Sequence, residues 1–479
     1  MNTAVLKGSF TLGAADFGRK GLLAVTVLLC ARFLQPRTFG DYIFLLSFYQ
    51  IFAVLAGAGL PSSLLRAVAR SKRSGMRFAF ASVFARLVYI LPASALMYVV
   101  VWLMGFSAQY FLALGLLVLM MVVRGAAENV TFIFQGREDQ ISCAKVGVSQ
   151  SAVTLLATLA VCLTSKDLLP LIGAHVLGGL ASATYGFVLL RSKSFQRPES
   201  GTIFSETRSL LKESHWLNAG AFIASTYNRI DVLLLRRLLT SEAVAVYAAP
   251  YRILDLTQIL PSSLIATILP SLCRKGEENS GITHPQTAMR FLMVTAFCLV
   301  VAVTVTAPWI TYLLFGSKYQ RSIPVIQILI WATVPMFWNL VLNAQLIAQS
   351  FDRAILYAAS IALAVNVGLN LLLIPRFGYM ACAAVTVVTE FALLGANVYF
   401  LSKIHASVLP EHFGRLVIVA ALIASFCLCW CLTGVRYLPA AAGLLLFGAL
   451  SAPVFRGDFA RSVPATATSA MTGSIQNNA

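Results

Sequence analysis

The chain has 479 residues, of which 59% are hydrophobic and only 11% are charged. Soluble domains carry about 25% charged residues, so a soluble globular protein is excluded. The net charge of +18 would suggest a nucleic-acid partner for a soluble protein, but short cytoplasmic loops of membrane proteins also collect Lys and Arg. We therefore expect a membrane protein that does not bind nucleic acid.

Apolar residues fall in runs of about 20, the length at which a helix spans a bilayer. The predicted fold class is therefore an all-α polytopic membrane protein with about fourteen transmembrane helices. The approximate spans, numbered as segments one to fourteen, are 11–34, 41–68, 78–104, 108–134, 143–164, 168–190, 214–238, 243–271, 287–315, 322–348, 354–374, 378–401, 414–434 and 437–455.

The loops between these segments differ in charge. When the N-terminus is placed inside, the cytoplasmic loops carry about twice as many basic residues as the loops on the other side. Since the number of segments is even, we expect both termini in the cytoplasm.

The pentapeptide Leu-Pro-Ser-Ser-Leu occurs twice, at 60–64 in segment two and at 260–264 in segment eight. A basic cluster follows each copy, and the elements before each copy agree in spacing to within about five residues. The chain therefore predicts an internal duplication with six segments in each copy. Because six is even, both copies enter the membrane from the same side and are parallel repeats.

The duplication sets the predicted domain organisation. We expect an N-terminal six-helix bundle at 1–190, a cytoplasmic linker at 191–213, a second six-helix bundle at 214–402, two additional helices at 403–456 and a disordered cytoplasmic tail at 457–479.

Pro61 and Pro261 occupy equivalent positions in the repeats. Proline inside a helix removes one backbone hydrogen bond, so segments two and eight are predicted to bend near these residues, and segment eight again near Pro250. Two interpretations stay open: a hinge that lets each bundle rock, or a static kink needed only for packing.

Ionisable residues inside the predicted segments indicate where a site lies. Each costs roughly 2.5–3.5 kcal/mol at mid-bilayer unless it faces a bundle interior or a water-filled cavity. The candidate substrate-binding residues are Arg19, Lys20, Arg124, Arg229 and Arg252. The candidate cation-coupling residues are Glu128, Asp231, Asp255 and Glu390. An arginine-rich cavity favours an anionic substrate, since the guanidinium fork donates two parallel hydrogen bonds to a phosphate.

Each of these charges also has a structural explanation. Arg124 and Glu128 are four residues apart on one helix and can pair with each other. Arg252 and Asp255 are three residues apart and can pair in the same way. Arg86 lies near a predicted cytoplasmic end, from which it can reach the headgroups.

We expect no catalysis, no cofactor and no metal site. No Gly-x4-Gly-Lys-Ser/Thr phosphate loop occurs in the sequence, and the longest connector, 191–213, leaves no room for a catalytic domain. His175, within segment six, is interpreted as a hydrogen-bonded packing residue rather than a proton relay. Transport is therefore the predicted activity.

Several local motifs resemble one known family. They are Ala-Arg-Phe-Leu at 31–34, Phe-Gly-Asp-Tyr at 39–42, Gly-Ala-Gly-Leu-Pro at 57–61 before a basic cluster, and Phe-Gly-Tyr at 377–379 before a segment that contains Glu390. Their order resembles the polysaccharide (O-antigen type, Wzx-like) flippases of the multidrug/oligosaccharidyl-lipid/polysaccharide exporter superfamily.

The resemblance implies two six-helix bundles that face a central cavity and work by alternating access (a MATE-like fold). It implies translocation of an undecaprenyl-diphosphate-linked oligosaccharide from the cytoplasmic to the outer leaflet of a bacterial inner membrane, for O-antigen, capsule or exopolysaccharide biosynthesis. In relatives, cavity arginines meet the diphosphate, and Arg19 and Arg229 are the matched positions here. The implied partners are this substrate, membrane lipid, and a polysaccharide polymerase and export proteins.

Two alternatives remain. A cation-coupled drug exporter of the same superfamily predicts a carboxylate-rich cavity, which the excess of arginine disfavours. A membrane polymerase or ligase of surface glycans needs a large outer loop, which the segment spacing does not provide.

Overall fold

The computed structural model describes residues 18–19, 21–57, 59–71, 76–106, 108–193, 202–214, 219–273, 285–349 and 351–403. Regular structure within these ranges is helical throughout. Lys20, predicted segments thirteen and fourteen and the predicted tail lie outside the described residues.

The first half of the chain forms helices α1 to α8. Their bounds are α1 Gly21–Phe33, α2 Pro36–Gly57, α3 Leu60–Ser71, α4 Met76–Leu103, α5 Ala108–Gly136, α6 Gln140–Leu163, α7 Leu168–Ser192 and α8 Ile203–Ser214.

The second half forms helices α9 to α17. Their bounds are α9 Ala219–Tyr227, α10 Ile230–Leu238, α11 Ser241–Thr257, α12 Ile259–Cys273, α13 Pro285–Leu314, α14 Ile323–Leu329, α15 Thr333–Ala348, α16 Asp352–Phe377 and α17 Tyr379–Ser402. Short 3₁₀ turns at Ser317–Ser322 and Ile330–Ala332 flank α14.

Nine stretches of the described residues are long and apolar enough to cross a membrane. They are α2, α4 to α7, α13, the run Ser317–Ala348, α16 and α17. This confirms the all-α polytopic membrane fold class. The number of fourteen segments stays a prediction, because the last two lie outside the described part of the chain.

Predicted segments two, seven and eight are each divided into two helices. Segment two breaks between α2 and α3 at Gly59, whose φ of 78° favours glycine because it lies in the left-handed region. Segment seven breaks between Tyr227 and Ile230, and segment eight breaks at Gln258. A single hydropathy run hides such breaks because the residues on both sides remain apolar.

The described chain packs as two compact units. The first comprises the described residues up to Arg252, with Thr311–Val325 and Ala362–Val385, and the second comprises the described residues of Ile253–Ile310, Ile326–Ile361 and 386–403. The two predicted bundles, 1–190 and 214–402, are divided at the repeat boundary and do not coincide with these units. Their boundaries stay a prediction.

In the first unit, α2 is the central helix. It packs against α4, α5, α7, α9 and α10, and it buries Phe39, Tyr42, Phe44 and Phe48 completely. A polar side chain on this helix therefore has to find its partner inside the protein.

The predicted linker contains the amphipathic helix α8. Leu210 on its apolar face is buried with Phe78 of α4, and the hydroxyl of Thr207 donates to the Ala81 carbonyl at 3.2 Å. These two contacts attach the linker helix to the first turns of α4.

Candidate functional site

Arg124 lies on α5 and is held by two aromatic side chains. Its Nη2 donates to Nδ1 of His175 at 2.8 Å, and its guanidinium lies 5.8 Å from the centre of the Tyr49 ring. Gly179 of α7 leaves the space for its stem, since a Cβ there would lie 3.1 Å from Cγ of Arg124. The Nε group is buried and has no hydrogen-bond partner. No described carboxylate forms an ion pair with Arg124.

His175 continues this contact to α2. Its Nε2 lies 2.7 Å from the hydroxyl of Tyr42, and both side chains are buried. The interpretation of His175 as a hydrogen-bonded residue of the interior agrees with this geometry, although its partners were not foreseen.

Glu128 does not pair with Arg124, contrary to the local pairing that their spacing allows. Its carboxylate accepts from Nη1 of Arg86 on α4 at 2.7 Å. The arginine fits because a Cβ at Gly125 would lie only 2.4 Å from Cδ of Arg86. The expectation that Arg86 reaches the headgroups is wrong, since only 6% of its side chain is exposed. The Arg86 pair therefore leaves Arg124 without a carboxylate partner among the described residues.

Arg229 lies at the break between α9 and α10, where it is the N-cap residue of α10. Its Nε donates to Oε1 of Gln50 on α2 at 2.6 Å, and its guanidinium lies 5.8 Å from the centre of the Tyr251 ring. Gln50 follows Tyr49, so Arg229 and Arg124 contact successive residues of α2. Broken membrane helices with exposed helix termini are typical of transporter binding sites.

Asp231 follows Arg229 in the first turn of α10 and is 2% exposed. Its carboxylate accepts from the Tyr247 hydroxyl and from the backbone N–H of Val232 at 2.8 Å. A buried carboxylate with neutral donors is compatible both with cation coupling and with a structural role.

Glu390, in the second unit, is also buried. The amide of Asn339 donates to its carboxylate at 3.0 Å, and to its backbone carbonyl at 3.1 Å. The amide of Asn397 in turn donates to Asn339 at 3.1 Å. Glu390 is thus part of a buried polar network between α15 and α17.

The remaining candidates are dispersed. Arg19 packs across α6, where a Cβ at Gly147 would lie 3.0 Å from its Cδ. Arg252, half-buried on α11, is close enough to act electrostatically on Tyr42. Asp255 is half-buried in the last turn of α11, and its pairing with Arg252 stays a prediction.

Asp41, at the start of α2, forms a further polar cluster. Its Oδ1 accepts from Ser241 at 2.5 Å, from Tyr110 at 2.7 Å and from Nε of Arg236 at 3.1 Å. The start of α11 lies so close that a Cβ at Gly40 would be 1.7 Å from the Ser241 carbonyl oxygen. The Phe-Gly-Asp-Tyr motif therefore joins α2 to α10 and α11. This set (Asp41, Tyr110, Arg236 and Ser241) is the Asp41 cluster.

A second cluster forms between the end of α1 and the end of α13. Arg32 donates to the Leu313 carbonyl at 2.7 Å, and Nζ of Lys318 donates to the carbonyls of Leu34 and Arg32 at 3.3 and 3.4 Å. In both clusters, the end of a repeat's first segment contacts the other repeat near the loop between its third and fourth segments. The duplication itself stays a prediction.

The duplicated prolines both lie in the first turn of a helix that follows a break. Pro61 is the second residue of α3, and Pro261 is the third residue of α12. In both copies the second serine of the pentapeptide donates its hydroxyl to the backbone carbonyl four residues earlier. Ser63 donates to Gly59 and Ser263 donates to Ile259, each at 2.9 Å. The two pentapeptides are thus locally equivalent, and their role as hinges stays a prediction.

Sequence reasoning missed His175, Gln50 and Asp41 as partners of the arginines. Asp41 had a visible signal, because it is a carboxylate inside a motif and the first residue of predicted segment two. The contacts of His175 and Gln50 depend on helix packing and leave no local pattern.

Within the described residues, no three of His, Cys, Asp and Glu side chains lie close enough together to bind a metal ion.

Comparison with known proteins identifies the family. Residues 5–275 match the family described as "Polysaccharide biosynthesis protein". The chain is 20% identical over 411 residues to the "Probable low-salt glycan biosynthesis flippase Agl15" of Haloferax volcanii, which covers 83% of each chain.

Solved structures share the fold. "Lipid II flippase MurJ, inward closed conformation" has a TM-score of 0.70 at 13% identity, and the match covers 93% of this chain and 99% of that one. A multidrug resistance MATE family transporter of the MOP superfamily in its inward-facing conformation has a TM-score of 0.60 at 15% identity, with 81% and 94% covered. The MATE-like fold and the resemblance to polysaccharide flippases are thereby confirmed. The chain belongs to the polysaccharide biosynthesis protein family of multi-pass membrane proteins.

Proposed function

We propose that the protein is a flippase that moves an undecaprenyl-diphosphate-linked oligosaccharide from the cytoplasmic to the outer leaflet of a bacterial inner membrane. The product would supply O-antigen, capsule or exopolysaccharide biosynthesis. Arg124 carries the proposal, since it is a membrane-embedded arginine with no ion pair to a described carboxylate and a buried Nε without a partner.

An anionic ligand complements this arrangement. A charge inside the membrane is unfavourable until a counter-charge neutralises it, and a diphosphate offers two phosphates to the donors of Arg124 and Arg229. The tyrosine rings beneath both guanidinium groups hold them by cation–π attraction without consuming their N–H donors. Arg124 contacts Tyr49 of α2 and Arg229 contacts Gln50 of the same helix, and we propose that one ligand bridges the two arginines.

Alternating access would then proceed by rearrangement around this site. The lipid chain stays in the bilayer, and the arginines replace water around the diphosphate. Pro61 and Pro261 are the proposed hinge positions, and Asp231, Asp255, Glu128 and Glu390 are the proposed coupling carboxylates. Of these, Glu128 forms an ion pair with Arg86. The termini are proposed to lie in the cytoplasm, and a polysaccharide polymerase and export proteins are the proposed partners.

Depletion of the protein followed by leaflet-resolved detection of the lipid-linked glycan tests the proposal. We expect the glycan to accumulate on the cytoplasmic leaflet. Arg124→Gln and Arg229→Gln should fail to relieve that accumulation, whereas Arg208→Gln, on the exposed side of α8, should relieve it. Normal outward appearance of the glycan after depletion would refute the proposal.

A cation-coupled small-molecule exporter is the second candidate, and the buried carboxylates Asp231 and Glu390 favour it. It predicts that the protein extrudes a cationic dye and that Asp231→Asn or Glu390→Gln abolishes extrusion. A flippase for an anionic lipid headgroup leaves the dye inside.

A further inference from the structure

The contact between Arg124 and His175 fixes the charge state of the imidazole. A guanidinium has five N–H donors and no acceptor. Nδ1 of His175, 2.8 Å from Nη2 of Arg124, must therefore accept with its lone pair. That lone pair exists only in the neutral ring with its proton on Nε2, and the Nε2–H then donates to the Tyr42 hydroxyl at 2.7 Å.

A proton on Nδ1 and the bond to Arg124 exclude each other. Protonation would place two cationic groups at 2.8 Å inside a buried site, where their repulsion is weakly screened. The hydrogen bond between Arg124 and His175 must therefore break when Nδ1 is protonated. A phosphate that accepts hydrogen bonds from Arg124 favours the protonated form of His175, because the negative charge of the phosphate attracts a second cationic donor.

The charged and titratable groups around His175 can be named helix by helix. From α5, Arg124 is the charge that acts on it, while Glu128 is engaged by Arg86 of α4. From α2 it meets the Tyr42 hydroxyl.

More distant groups act through Tyr42 or are neutral. Cys30 of α1 and Arg252 of α11 act on Tyr42. Tyr49 of α2 contacts the guanidinium of Arg124 with its ring. The next helix, α6, presents Thr154 to Gly178 of α7.

We propose that His175 is a proton-binding site linked to anion binding at Arg124: it is neutral while it holds Arg124, and it takes up a proton when a lipid diphosphate engages that arginine. The inference rests on the proposed function and deepens it, since it assigns a proton to the loaded state. No covalent change occurs. One proton moves from solvent to Nδ1, and one hydrogen bond of Arg124 passes from the imidazole to the phosphate.

Calorimetric titration of the purified full-length protein with undecaprenyl diphosphate tests the linkage. Repeating the titration in buffers of different ionisation enthalpy measures the protons taken up on binding. The matched variant is His175→Asn, whose Oδ1 accepts from Arg124 at the position of Nδ1 but cannot be protonated. His175→Gln is the second variant, because its amide reaches Tyr42 instead. A thermal unfolding curve of each variant checks that it is folded.

We expect the wild type to take up as much as one proton more than either variant between about pH 5 and 8, the range in which histidine titrates. The affinity of the wild type should then fall as much as about tenfold for each unit of rising pH relative to the variant. Equal proton uptake in wild type and folded variants overturns the inference and leaves the proposed function intact. Absence of binding to the wild type overturns the proposed function itself.

Discussion

The Oδ1 of Asp41 and the Nε of Arg236 lie 3.1 Å apart, although 195 positions separate them in the sequence. Their side chains are only 15% and 19% exposed, and the guanidinium also lies 4.9 Å from the centre of the Phe106 ring. An ion pair this enclosed leaves a strongly unfavourable charge when one member is removed. It therefore fixes the end of α10 against α2.

Removal of Asp41 should destabilise the protein. We expect Asp41→Ala to lower the free energy of unfolding by on the order of 3 kcal/mol, because Arg236 then keeps its charge without a carboxylate. Thermal unfolding in detergent measures the loss. The double variant Asp41→Ala/Arg236→Ala should recover part of it, and strictly additive effects of the two changes would show that the pair is not coupled.

Gly125 should tolerate no larger residue. In Gly125→Ala the new Cβ meets Cδ of Arg86 at 2.4 Å, so the ion pair with Glu128 must shift, and we expect a loss of about 1–3 kcal/mol. Gly173→Ala is the matched control, since nothing lies within 4 Å of its Cβ and alanine is the better helix former. Equal melting temperatures of the two variants would contradict the contact.

Arg124 should not be replaceable by lysine. Arg124→Lys keeps the charge but loses the planar guanidinium. A single ammonium group cannot keep both the hydrogen bond to His175 and the contact with the Tyr49 ring. We expect binding of undecaprenyl diphosphate to weaken at least about tenfold, an amount that one charge-assisted hydrogen bond supplies. Titration calorimetry at one pH measures this, with Arg208→Lys as the control. Unchanged affinity would place the diphosphate elsewhere.

Asp139, in the loop between α5 and α6, should contribute a pH-dependent part of stability. It caps α6 by accepting from the backbone N–H of Ser142 at 3.1 Å. Partial burial acts to raise its pKa, but bonds from Lys193 and from Ser142 hold the pKa below the usual aspartate value. The stabilisation is therefore complete above the pKa of unfolded aspartate and is lost as pH falls through the lower pKa of the folded state.

Asp139→Ala should cost about 1 kcal/mol at neutral pH, as the loss of an N-cap does. Asp139→Asn should cost less, because asparagine caps equally well and only the charge opposite Lys193 is lost. Melting temperatures measured from pH 6 downwards should show the gap between wild type and Asp139→Ala closing below the usual aspartate pKa. A gap that stays constant would show that the carboxylate charge does not matter.

The break between α2 and α3 should depend on Gly59 more than on Pro61. At the second residue of a helix, proline lacks only an N–H that has no partner within the helix. We expect Pro61→Ala with Pro261→Ala to preserve the fold, and Gly59→Ala to cost about 1 kcal/mol through its left-handed φ. If the double proline variant flips lipid at the wild-type rate, the hinge hypothesis is lost and the static kink remains.

The fold was predictable from the sequence because apolar runs of membrane length report directly on helices. The break at Asn228 was not, since residues on both sides continue one hydropathy run. Among the site residues, Arg124 and Arg229 were found as membrane charges. The spacing of Arg124 and Glu128 suggested a pair within one helix, whereas the actual partner, Arg86, reaches Glu128 through a gap that Gly125 leaves on the same helix.

His175 and Asp41 show the second limit of sequence reasoning. Each became informative only when a residue far along the chain was known to face it: Arg124 for His175, and Arg236 for Asp41. Distances of this kind come from the packing of α5 against α7 and of α2 against α10, and no local spacing encodes them.

The ion pair between Arg86 and Glu128 also bears on how the chain enters the membrane. Helix α4 alone would carry an unpaired arginine into lipid, at roughly 2.5–3.5 kcal/mol on the insertion scale. Helix α5 brings the compensating carboxylate with it. The hairpin of α4 and α5 is thus a natural unit of membrane insertion, in which the second helix supplies the counter-charge of the first.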